Sequence, residues 1–262
     1  MSDMRLDGRT AVVTGGTRGI GRGIAEIFLE HGANVVVNGR STEKGEQAIK
    51  EMGGGGNVHF IQGDVMKKDD VEAIVDGAHE RYGGVDILVN NAGGITGHGM
   101  IADMDDWAWL GTIEWNLNAA FYATRRALKY MVPQGSGRII NISSVEGKQA
   151  NKPAVSNYIT TKHALNGLTK ATAFEYGPMG ITCNAICPGA IETDIMRESG
   201  PDAAAAAGIT YEQFLENYAN ESMIKRLNTV EEVAGMALLL ASDAGAGITG
   251  ALLNVDGGSA SW

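Results

Sequence analysis

The sequence predicts an α/β fold, one domain built on a doubly wound parallel sheet of about seven strands with helices on both faces. Three observations carry that expectation. Short apolar runs alternate with amphipathic stretches from end to end. The runs are continuously apolar rather than alternating, as strands covered on both faces must be. No linker or composition break divides the 262 residues, a length that one domain accommodates.

The elements follow in order. Residues 10–14 (TAVVT) read as a buried strand, and 19–31 as a helix with apolar residues at Ile20, Ile24, Ile27 and Phe28, the spacing of one helical face. Residues 34–38 (NVVVN) give a second strand and 41–52 a helix, punctuated by the glycine run 53–56. Strands are expected at 58–62, 85–90, 138–143, 181–187 and 251–255. Helices are expected at 69–82, 156–176 and 229–241, and over 105–131, stopping before Pro133. Residues 192–227, with their alanine run at 203–207, are not needed to close a sheet. A segment that long between a strand and a helix reads as a helical flap over a site rather than as a second domain.

Charge and cysteines narrow the function classes. Twenty-one basic against 31 acidic residues give a net charge of −10, which repels a phosphate backbone and argues against nucleic acid as the partner. Any phosphate that binds needs a local device. No stretch is long and apolar enough to suggest a membrane span, and the first ten residues carry no apolar core of a secretory signal. The expected location is therefore cytoplasmic. Cys183 and Cys187 lie on one face of a strand-like run. They read as buried free thiols, with a metal pair as the alternative, and no metal is expected.

Two motifs carry chemistry. TGGTRGIG at 14–21 follows a strand and opens a helix, where a pyrophosphate meets backbone N–H groups and the helix N-terminus, and where a Cβ would block its approach. A merely structural tight turn is the alternative. Tyr158 and Lys162 are four apart on one helix, so they share a face. A phenol of pKa near 10 needs a shift of about 3 units, about 4 kcal/mol, to work as an acid–base at neutral pH. A lysine together with an oxidised nicotinamide supplies positive charge of the right sign. The bland reading is a surface tyrosine beside a snorkelling lysine.

With NNAG at 90–93, Ser144 and PGAIET at 188–193 added in order, the chain resembles the short-chain dehydrogenase/reductase family, in its branch of about 250 residues. The resemblance runs from Leu6 to Ser259. It implies a Rossmann-like fold and hydride transfer between a nicotinamide and a carbonyl or secondary alcohol, as a ketoreductase or alcohol dehydrogenase. It also implies roles. Gly15, Gly19 and Gly21 would line the pyrophosphate turn, with Thr17, Arg18 and Ile20 close by. Asp64 would meet the adenine, with a helix cap as its other reading, and Val65 would also line the cofactor site. Asn90, Asn91, Ala92 and Gly93 would lie along the cofactor, and Pro188, Gly189, Ile191 and Thr193 would flank the nicotinamide. Asn116 would help hold the active-site water and lysine, with Asn118 a decoy two residues on. Ser144 would bind the substrate oxygen, chosen over Ser143. Tyr158 would be the acid–base, and Lys162 would bind the ribose and tune Tyr158. The 14 residues from Ser144 to Tyr158 are one more than the family pattern.

After the second strand, Gly39 stands where a relative that prefers NAD carries an acid, and Arg40 follows. Arg40 and Arg18 suit a 2′-phosphate, so NADP(H) is the preferred cofactor and NAD(H) a possible one. Two solvated arginines are the alternative. The segments 94–98 and 144–152 resemble those of polyketide and acyl-carrier ketoreductases and of small-alcohol dehydrogenases, without fixing the substrate. Trp107, Trp109 and Trp115 read as packing residues rather than pocket walls. The helices near 105–131 and 156–177 are expected to assemble a homotetramer. The rival readings are an NAD(H)-dependent hydroxy-acid or polyol dehydrogenase and a catalytically inactive cofactor-binding regulator.

Overall fold

The computed structural model describes residues 4–260. Its seven strands form one sheet in the order β3-β2-β1-β4-β5-β6-β7, every neighbouring pair parallel. The strands are β1 (Thr10–Val13), β2 (Asn34–Gly39), β3 (Val58–Gln62), β4 (Ile87–Asn90), β5 (Gly137–Ile142), β6 (Ile181–Pro188) and β7 (Leu252–Val255). The order reverses between β1 and β4, which opens a crevice beyond their carboxyl ends.

Period two sorts each strand between two apolar layers. Ala11 and Val13 of β1, with Val35 and Val37 of β2, pack with Ile24 and Phe28 of α1 (Gly19–Glu30). Val12 and Val36 face the opposite layer with Val71 and Ile74 of a later helix. Helices α2 (Thr42–Met52), α3 (Lys68–Tyr82), α4 (Asp106–Ile113), α5 (Ala119–Gln134), α6 (Ser156–Tyr176), α7 (Asp194–Ala206), α8 (Tyr211–Glu221) and α9 (Val230–Ala241) complete the chain.

Two local expectations are corrected. The helix expected over 105–131 is broken by a π-helical turn at Glu114–Asn118. It also runs through Pro133 to Gln134, where proline costs one backbone hydrogen bond near the end and the left-handed Gly135 (φ 69°) closes the helix. The segment 192–227, expected to be helical, holds α7 and α8, with Thr193 and Thr210 capping their first turns. Among the described residues no helix is long and apolar enough to cross a membrane.

Candidate active site

A cleft of about 700 Å3 lies over the crevice between β1 and β4. Its floor is the glycine turn. Gly15 (φ 64°) and Gly19 (φ 55°) occupy the left-handed region, and a Cβ on Gly16 would come 2.7 Å from Val37 Cγ1. Asn38, at the end of β2, staples the turn: its Oδ1 accepts from Gly15 N at 2.8 Å and its Nδ2 donates to the Gly63 carbonyl at 2.9 Å. Sequence reasoning missed Asn38, although a polar residue ending an apolar strand was a visible signal.

Most residues expected at the cofactor line this cleft: Gly15, Thr17, Arg18, Gly19, Ile20, Arg40, Asp64, Val65, Asn91, Ala92, Gly93, Pro188, Gly189 and Thr193. Asp64 does not cap the next helix, whose N-cap is Lys67; its Oδ1 accepts from the Met66 amide at 3.1 Å within the preceding turn. Gly39, Ser41 and Lys44 join Arg40 at one end. A Cβ on Gly39 would sit 3.2 Å from the Thr17 hydroxyl, so that strand end is both uncharged and narrow.

Four placements differ from expectation. Gly21 is buried and does not line the cleft; a Cβ there would come 2.4 Å from Asn91 Nδ2, so it serves helix packing. Ile191 belongs to the apolar core. Asn90 points into the interior, donating to Asn141 Oδ1 at 2.8 Å and to Thr124 at 3.0 Å. The neighbouring Asn91 is the one on the cleft, donating to the Thr14 carbonyl at 2.9 Å. Trp115 is a cleft wall as well as a packing residue, whereas Trp107 is exposed.

Ser144, Tyr158 and Lys162 meet at the other end of the cleft. Ser143 also borders it, but its hydroxyl donates to the Lys162 carbonyl at 3.4 Å. Ser144 Oγ accepts from the Glu146 amide at 3.1 Å and hydrogen-bonds on the Tyr158 side, which favours the phenolate. Burial prevails nonetheless and pushes the phenol up to about 12. Burial also pushes the Lys162 ammonium, 4% exposed, down to about 8. The lowering of Tyr158 expected from Lys162 is therefore not supplied by the protein's own groups.

Asn116 sits in the π-helical turn, fully committed: Nδ2 donates to the carbonyls of Gly94 at 2.6 Å and Thr112 at 2.9 Å, and Oδ1 accepts from the Gly94 amide. It is buried just behind the cleft wall, and a Cβ on Gly93 would strike its Oδ1 at 2.5 Å. Asn118 instead donates to Glu114 on the half-exposed face. The long Ser144–Tyr158 connection turns back through Ala154 (φ 62°), whose carbonyl accepts from the Gly99 amide at 3.0 Å.

One buried group was not anticipated. Glu146 is 6% exposed, and neither carboxyl oxygen has a hydrogen-bond partner of normal geometry among the described residues. Burial raises its pKa, opposed by Lys152, by the nearby Asn151 backbone and by His163, while Glu221 adds to the rise. Cys183 and Cys187 are both buried and free, and burial pushes both thiols up.

Residues 9–204 match the family model described as short chain dehydrogenase. The chain is 38% identical to a 3beta-hydroxysteroid dehydrogenase of Mediterraneibacter gnavus, covering 97% of this chain and 95% of that protein. It is 39% identical to a D-beta-hydroxybutyrate dehydrogenase of Rhizobium meliloti, covering 95% and 98%. A variant of actinorhodin polyketide ketoreductase, solved with NADPH, superposes with a TM-score of 0.92 at 35% identity over the whole of both chains.

Proposed function

The chain belongs to the short-chain dehydrogenase family and is an oxidoreductase that interconverts carbonyls and alcohols with a nicotinamide cofactor, and from that premise we propose that it is an NADP(H)-dependent ketoreductase or alcohol dehydrogenase. The observation that carries the reading is a single cleft with Ser144, Tyr158 and Lys162 at one end and Gly39, Arg40, Ser41 and Lys44 at the other.

The cleft fits a dinucleotide. The left-handed glycines leave room for a pyrophosphate over the N-terminus of α1. The carboxylate that would bind a 2′-hydroxyl is absent at Gly39, while Arg40 and Lys44 offer cations to a 2′-phosphate. When bound, the nicotinamide supplies the hydride, or accepts it in oxidation. Tyr158 moves the proton at the substrate oxygen and Ser144 hydrogen-bonds that oxygen. Lys162 holds the ribose and biases the phenol, and Asn116 fixes the Gly93–Gly94 backbone at its side. The positive charge of the oxidised nicotinamide adds to that of Lys162 in favouring the phenolate.

The substrate is a small carbonyl or alcohol compound held beneath a flap formed by α7 and α8, part of the same single domain. A homotetramer built on α4–α5 and α6 is the proposed assembly. It is supported by Trp107, Leu110 and Phe121 exposed on the first helical pair and Phe174, 87% exposed, on the second.

NADPH consumption followed by absorbance, with a panel of ketones and with NADH in parallel, tests the reading. The expected result is turnover of at least one ketone, faster with NADPH. Arg40→Ala is expected to weaken NADPH binding by on the order of 1.5–3 kcal/mol and NADH binding far less. No turnover of any ketone would refute the activity, and equal losses for the two cofactors would refute the 2′-phosphate site.

A further inference from the structure

The first turns of α7 lean on the phosphate end of the cleft. Asp194 and Glu198 are four residues apart and share a face of that helix. Asp194 Oδ2 accepts from the Gly19 amide at 3.2 Å, which fastens α7 to the start of α1. Glu198 takes both oxygens to one nitrogen of Arg18, with Nη1 at 2.9 and 3.2 Å. Arg18, Gly19, Asp194 and Glu198 all line the cleft. A carboxylate from the flap thus sits on a guanidinium that belongs to the glycine turn.

We propose that Glu198 is a specificity-determining residue for the cofactor, competing with a 2′-phosphate for Arg18 and so weakening the enzyme's preference for NADP(H) over NAD(H). The inference rests on the reading above that the 2′-phosphate meets Arg40, and on the sequence expectation that Arg18, which lines the same cleft, joins it. Arg18 cannot give its full charge to two anions, and a carboxylate and a phosphate crowded on one guanidinium repel each other. NAD(H), which carries a hydroxyl there, leaves the Arg18–Glu198 pair intact. The charge on Glu198 therefore acts on one cofactor and not the other. Because Glu198 belongs to α7, displacement by phosphate also loosens one of the contacts that hold the flap down.

The pair is solvent-exposed, with side chains 47% and 65% accessible, so the competition is modest: an exposed pair is worth up to about a fivefold change in affinity. Titration calorimetry of NADPH and NADH into the full-length protein, Arg18→Ala, Glu198→Gln and the double variant tests it. Glu198→Gln lies on an exposed helix position and keeps the side chain's shape. It is expected to tighten NADPH by about two- to fivefold and leave NADH within about twofold. Arg18→Ala should weaken NADPH selectively and abolish the gain from Glu198→Gln. If Arg18→Ala is selective but Glu198→Gln changes nothing, the competition is refuted and the cofactor reading stands. If Arg18→Ala weakens both cofactors alike, the reading of Arg18 itself fails. A loss of NADH affinity in Glu198→Gln would make Glu198 a ligand of the ribose hydroxyl and overturn the proposal.

Discussion

Lys162 stands one helical turn beyond Tyr158, its ammonium 5.4 Å from the tyrosine ring centroid, yet the hydrogen bond it donates runs to the Ile142 carbonyl at 2.9 Å. The two side chains share a face of α6 without being paired. Burial drives the phenol up to about 12 and the ammonium down to about 8, each toward its neutral form.

That arrangement has a measurable cost. The Lys162 ammonium is pushed below its ordinary value of 10.5, so between about pH 8 and pH 10.5 the folded chain binds fewer protons than the unfolded one. Stability contributed by this group rises with pH across that window. Lys162→Met removes the buried charge at every pH. Its stability relative to wild type is expected to be greatest near neutral pH, and to fall by about 3 kcal/mol once the window is crossed. Denaturant unfolding of both proteins at either end of the window checks this. A constant difference would show that Lys162 is not a strained cation. Tyr158→Phe, by contrast, is expected to lower kcat by about 10²–10⁴-fold with cofactor affinity nearly unchanged.

Glu146 gives the opposite sign. Its carboxyl is raised above the ordinary 4.5, so the folded state holds the proton more tightly. The stability it contributes is present below the unfolded value and is lost as pH climbs to the folded one. The groups facing it are Lys152 on the following loop, Tyr158 and His163 on α6, and Glu221 on α8. Glu146→Gln is expected to match wild type in acid and to be more stable at mildly alkaline pH, by about 1–3 kcal/mol. Thermal unfolding at the two pH values decides it, and a gain that is the same at both would rule out a buried ionisation.

The strands were legible because parallel strands, covered on both faces, carry apolar runs, and β1, β2 and β4 are written that way. The cleft was legible because left-handed glycines and a helix-spaced Tyr–Lys pair leave local marks. What escaped depends on side-chain direction or on partners distant in sequence. Asn90 and Asn91 are adjacent, and one step along the backbone sends the first inward and the second to the cleft. The π-helical turn around Asn116 spans only Glu114–Asn118, and the small shift of helical phase it makes is too local for a count of apolar positions to reveal. Trp115 becomes a wall only because Gly94, far back in the chain, packs against its ring. Glu146 shows no sequence sign of burial, since loop 148–155 and α6 enclose it.

Assembly has a direct test. Phe174 is 87% exposed on α6, and Trp107 and Leu110 are exposed on α4, an arrangement that favours burial against another copy. Light scattering at micromolar protein is expected to give four times the chain mass of 27.5 kDa. Phe174→Asp should lower that mass while the circular dichroism of the fold persists. A wild-type mass of one chain would exclude the tetramer.

The flap makes the last prediction. None of the residues of α8 is buried, and its aromatic face, Tyr211, Phe214 and Tyr218, is stacked on itself rather than on the sheet. Apart from the burial of Gly200 and Ala204 in α7 and the backbone bonds from Met223 and Ile224 to the Gly257 carbonyl, what holds the pair of helices down is polar and sparse. Glu198 and Asp194 reach the glycine turn, and Lys152, from the loop after Ser144, lies 3.4 Å from Glu221 and 3.8 Å from the Tyr218 ring centroid. Contacts of that kind open at low free energy, and the first set involves residues on the proposed phosphate end of the cleft. Amide exchange across 195–223 is therefore expected to be fast in the free protein. It should slow markedly when NADP(H) and a ketone or its alcohol are bound together, as the aromatic face closes over the substrate and excludes water from the hydride path. Cofactor alone should protect only part of the segment, because it reaches the α7 end but not α8. Equal protection in the free and ternary states would mean that α7 and α8 are a fixed wall. Substrate choice would then lie with residues 94–98 and 146–157.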